Sequence, residues 1–124
     1  MSTNSKSKDM TAVTNLRGVI AQEITSLTLL ANDMRQAGDT EYADILSGKA
    51  EGVRSVFVNL EVALTHYSGS AEEVLTRIIG SLNAQISISL LIPESEVYAQ
   101  SYIDGLELAL EKTTEALELL HANN

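Results

Sequence analysis

Apolar residues recur at steps of three and four through almost the whole chain, and this period limits the fold more than any single motif does. A repeat near 3.6 puts such residues on one face of an α-helix, whereas a strand needs alternation at every second position. The first run extends from about Met10 to Ala37, with Val13, Leu16, Ile20, Ile24, Leu27, Ala31 and Met34 on its stripe. Gly38 is a natural left-handed stop. Asp39 or Thr40 then caps a second run to about Tyr67, through Tyr42, Leu46, Val53, Val56, Phe57, Leu60 and Leu64. Ser68-Gly69-Ser70 breaks it.

Ser70 followed three residues later by Glu73 is a capping-box pattern, so a third helix starts there. It carries Val74, Leu75, Ile78, Ile79, Leu82, Ile86 and Leu90, and stops before Pro93. Glu94, Ser95 and Glu96 suit the first turn of a fourth helix. That helix buries Ile103, Leu106, Leu110, Leu117 and Leu120 and runs to His121. Gln85–Ile92 begins with strand-like alternation. It has no second strand to pair with, so helix is the better reading. Four helices joined by short loops predict an all-α, antiparallel up-down-up-down four-helix bundle over residues 10–121. A short, disordered polar segment, 1–9, is expected to precede it.

Charge and composition then exclude several functions. Lys and Arg number 8 against 17 Asp and Glu, a net charge of −9. That argues against binding nucleic acid, where cations must replace the counterions of phosphate. Cysteine is absent, which removes thiolate nucleophiles and Cys-ligated metal sites. Only His66 and His121 are present, and Glu118-x-x-His121 occurs once where a carboxylate-bridged di-metal bundle needs the pattern twice. No phosphate-binding glycine loop or nucleophile elbow occurs. The chain reads as non-enzymatic, with no cofactor and no metal. No apolar leader follows the first residues, and no window approaches the roughly 18 uncharged apolar residues of a spanning helix. A cytoplasmic protein without membrane contact is the expectation.

Three surfaces rise above this background. Glu23, Lys49, Gln85, Ser89 and Tyr102 fall on or beside core stripes at similar heights. They predict either a polar layer, with Glu23 and Lys49 paired, or a pocket for a small ligand. On the fourth helix, Asp104, Glu107, Glu111, Glu115 and Glu118 share one face with Leu108 and Leu119 beside them. This is a candidate landing surface for a basic protein partner. The third helix carries no charge from Ile78 to Ile92, and Ile88 and Leu91 point away from its core stripe. Such a helix favours burial on more than one side, so a homodimer through it is expected. Gly48 and Gly52, four apart, would also allow close approach of another helix. The functional expectation is an interaction module of adaptor, chaperone or inhibitor type. The alternative is a ligand-binding or sensor bundle using the polar layer.

Overall fold

The computed structural model describes residues 10–66, 69–91 and 97–122. Four helices fill these segments: α1 Thr11–Gln36, α2 Thr40–His66, α3 Ala71–Leu91 and α4 Val97–Ala122. They pack as an up-down bundle, in accord with the periodicity. The run Gln85–Leu91 is helical. Expectations for segment 1–9, for Tyr67 and Ser68, and for the capping turn at Glu94–Glu96 lie outside the described residues.

The helix ends are set by local chemistry. Gly38 has φ +92°, and the amides of Gly38 and Asp39 donate back to the carbonyls of Arg35 and Met34 at 3.1 and 2.8 Å. This is a Schellman ending, which satisfies carbonyls that α1 cannot pair internally. Asp39 then turns to its other task. Its Oδ1 accepts the Tyr42 amide at 3.1 Å and caps α2. At α3 the capping box is reciprocal: the Ser70 amide donates to Glu73 Oε1 at 2.9 Å, and the Glu73 amide donates to Ser70 Oγ at 3.2 Å.

Packing departs from a square bundle. The broadest contacts are α2 with α4 and α1 with α2, followed by α3 with α4. Contacts of α3 with α2, and of α1 with α3, are sparse. The diagonal pair α2 and α4 has therefore closed together at the centre, and the cause is glycine. A Cβ added to Gly105 would lie 2.1 Å from the Lys49 carbonyl oxygen and 2.9 Å from the Gly52 Cα. One added to Gly52 would lie 2.2 Å from the Tyr102 carbonyl oxygen. Backbone meets backbone there, so neither position can hold a larger residue without movement. Both helices carry small residues at the same spacing, Gly48 and Gly52 on α2 and Ser101 and Gly105 on α4, and all four are buried.

On the α2–α3 side of this crossing the helices separate and the main core fills the gap. Val13, Leu16 and Ile20 of α1 meet Val53, Val56 and Leu60 of α2, Val74, Leu75, Ile78 and Leu82 of α3, and Leu106 and Ala109 of α4. Each large side chain fully buried here contributes about 1.5–3 kcal/mol before conformational entropy is counted. Thr113 is buried too, and its hydroxyl donates to the Ala109 carbonyl at 2.7 Å. On the α1–α2 side a separate small cluster holds only Ala31, Ala43 and Leu46, with Leu27 and Met34 against it. Two ion pairs tie α1 to α2. Arg17 meets Glu61 while lying over the Phe57 ring, and Arg35 reaches Asp44 at 3.3 Å and Ser47 at 3.2 Å.

Candidate interaction surfaces

The polar layer is placed at the margin of the core. Glu23, Lys49, Gln85, Ser89 and Tyr102 are all half-buried. Val19 and Leu30, apolar residues four before and seven after Glu23 in α1, are exposed at 40% and 39%. Glu23 and Lys49 form no ion pair with each other, contrary to the expected pairing. With α2 drawn onto α4, Lys49 is occupied through its backbone, whose carbonyl oxygen lies against Gly105. Gln85 does find a partner across helices: its Oε1 accepts a hydrogen bond from Ser55 Oγ at 3.0 Å. Ser55 was not among the candidates, although it lies on α2 facing the right neighbour. Tyr102 packs against the main core.

The acidic face of α4 is solvent-facing throughout. Asp104, Glu107, Glu111, Glu115 and Glu118 are exposed. Asp104 Oδ1 accepts from Gln100 Nε2 at 3.2 Å, a contact within the same helix. The two leucines divide. Leu119 is 64% exposed, whereas Leu108 is half-buried and packs against the main core. This corrects the placement of Leu108 on the open surface. The reason is that α4 is contacted by α1, α2 and α3, so its wet face is narrower than a helix with one core-facing stripe would have. His121, at the end of α4, has Nε2 3.1 Å from Glu72 Oε2 and so ties the helix to the start of α3. Among the described residues, no group of three or more His, Asp or Glu side chains could hold a metal ion.

The far end of α3 leaves the core. Leu82 is fully buried and Ile86 partly so, but Ile88, Leu90 and Leu91 are 62%, 64% and 83% exposed. Leu90 was expected on the core stripe. It is outside because the core stops at the glycine crossing, and the last turns of α3 have no cavity to enter. By length and composition α3 is apolar enough to cross a membrane, with 28% of the qualifying window buried in the bundle. Its uncharged run, Ile78–Ile92, is shorter than a full span.

Where helices touch sparsely, clefts open between them. One lies between α1 and α4, about 620 Å³, with Leu16, Val19, Ala116, Leu119 and Leu120 among its walls and Lys112 and Glu115 at its edge. Another, about 340 Å³, lies between α2 and α3. Neither is lined by any member of the polar layer. No protein-family model, curated protein or solved structure matches the chain.

Proposed function

We propose that this chain is a non-enzymatic interaction module that pairs with a second copy of itself through α3 and offers the acidic face of α4 to a basic protein. One observation carries the reading: three large apolar side chains, Ile88, Leu90 and Leu91, stand exposed together on a charge-free stretch of helix. Clustered exposed apolar surface marks interaction sites, unlike single exposed residues. Electrostatics favours a second copy as the occupant. Two chains of charge −9 repel when acidic faces meet, and α3 from Ile78 to Leu91 lets two copies approach without opposing like charges.

The test is sedimentation of wild type against the double variant Ile88→Glu/Leu91→Glu. Wild type is expected at twice the 13.4 kDa chain mass, and the variant at one chain mass with unchanged helical circular dichroism. A monomeric wild type at high micromolar concentration would overturn the α3 pairing. The acidic face is tested separately. Glu111→Lys/Glu115→Lys is expected to keep the dimer and lose the partner captured by wild type from its own cells. Unchanged capture would retire that face.

A further inference from the structure

We infer that the second copy pairs antiparallel along α3 and that the cleft between α2 and α3 is its receptor, Ile88 and Leu91 of each copy entering the cleft of the other. The inference rests on the α3 pairing proposed above, and gives that pairing an orientation and a receiving surface.

One face of α3 carries both halves of the contact. Arg77, Ser81, Ala84, Ile88 and Leu91 follow one another at steps of four, three, four and three, and all five are exposed. That spacing is the seam of a two-helix coiled coil. The seam is graded in size. Ile88 and Leu91 are large and apolar at one end. Ser81 and Ala84 are small, and beside them an added Cβ at Gly80 would meet nothing within 4 Å. Arg77 and Ser81 also line the cleft, about 340 Å³ over a floor of Val62, Ala63, Val74 and Ile78. One end of the seam therefore projects, and the other borders a hollow.

Their positions suit a two-fold axis. Leu91 lies seven residues after Ala84 and Arg77 seven before it, while Ile88 lies four after and Ser81 three before. An antiparallel pair with its axis at Ala84 sets Leu91 over Arg77 and Ile88 over Ser81, and does so twice. Each projection then reaches the mouth of a cleft, and Val62, exposed on the α2 wall, is covered with it. A parallel pair would set large residues on large and small on small, and would leave both clefts open.

Charge favours the same arrangement. Glu72, Glu73 and Arg77 are the charged residues of α3, and all lie within its first seven positions. A parallel pair brings acidic first turn against acidic first turn and Arg77 against Arg77. An antiparallel pair sends these groups to opposite ends and opposes the two helix dipoles. Arg77 is engaged within its own chain, and the contact asks no new ion pair of it. Leu91 covers its aliphatic stem.

The chain has no cysteine, so single cysteines report on the contact directly. The experiment treats full-length Ser81→Cys, Ala84→Cys and Ile88→Cys with a short bismaleimide, alone and in pairs. Ala84→Cys is expected to link to itself. Ser81→Cys is expected to link to Ile88→Cys when the two are mixed, and not to itself. Sedimentation adds a readout away from α3. Val62→Glu is expected to weaken the dimer at least about tenfold, whereas Leu29→Glu, which adds the same charge at an exposed leucine of α1, is expected to leave it unchanged. Self-linking of Ser81→Cys as ready as that of Ala84→Cys would show a parallel pair and overturn the orientation. A Val62→Glu dimer as tight as wild type would overturn the cleft as receptor. In either case the α3 pairing itself would stand, whereas a monomeric wild type would remove both.

Discussion

At the end of the bundle that carries the α2–α3 turn, all four helices deliver aliphatic side chains into one core, and Ile20, Leu60, Leu75, Leu82 and Leu106 are fully enclosed. At the end that carries the α1–α2 turn, only Ala31, Ala43 and Leu46 make a cluster, and the main tertiary contact is backbone on backbone at Gly52 and Gly105. The first end is held by apolar volume and the second by the lack of it. Closing one diagonal of a four-helix bundle expels the other two helices from the middle. Their apolar residues, Leu29 on α1 and Ile88, Leu90 and Leu91 on α3, are then left outside. The same asymmetry that builds a compact crossing thus creates the surface proposed for self-association.

Substitutions can break this comparison one end at a time. Leu75→Ala, in the four-helix core, removes a fully buried side chain and is expected to cost about 4 kcal/mol in urea unfolding. Gly105→Ala removes nothing, yet its new methyl would meet the Lys49 carbonyl, and it is expected to cost roughly 3 kcal/mol. If Gly105→Ala proves neutral, the crossing is not what holds α2 to α4. Gly18→Ala sharpens the point from the other side. Gly18 is exposed with nothing within 4 Å of an added Cβ, so this substitution is expected to stabilise by up to about 1 kcal/mol, read as a rise in Tm. The smallest effect belongs to the polar layer. Lys49→Gln removes a half-buried charge that pairs with no carboxylate described here, and it is expected to change stability by less than about 0.5 kcal/mol. A loss several times larger would restore the idea of a buried Glu23–Lys49 pair.

Helix number, order and most boundaries were legible because each depends on residues close in sequence. The Gly38 stop, the Asp39 cap and the Ser70–Glu73 box are local devices, and period 3.6 is a local pattern. What was not legible was which helices lie on the diagonal and how near they come. Gly48 and Gly52 stand out in the sequence as small residues four apart inside a helix. Their meaning required the matching Ser101–Gly105 spacing on α4, which a helix-by-helix wheel does not join to α2. The error then propagated. A symmetric bundle put Leu90 in the core, Leu108 on the surface and Glu23 opposite Lys49, and the diagonal contact reverses or loosens each placement. The pairing of Ser55 with Gln85 was missed for the same reason, although two polar side chains near one height offered a signal.

The glycine crossing also bears on the order of events during folding. The α1–α2 and α3–α4 pairs join neighbours in the chain and can collapse as separate hairpins, with little loop entropy lost. The crossing joins one helix from each hairpin, so it can tighten only after both exist. Interactions that form late leave the refolding rate almost untouched and act on the rate of escape from the native state. Gly105→Ala is therefore expected to steepen the loss of native protein with time while refolding proceeds at nearly the wild-type pace, a difference that stopped-flow fluorescence from an introduced tryptophan can measure.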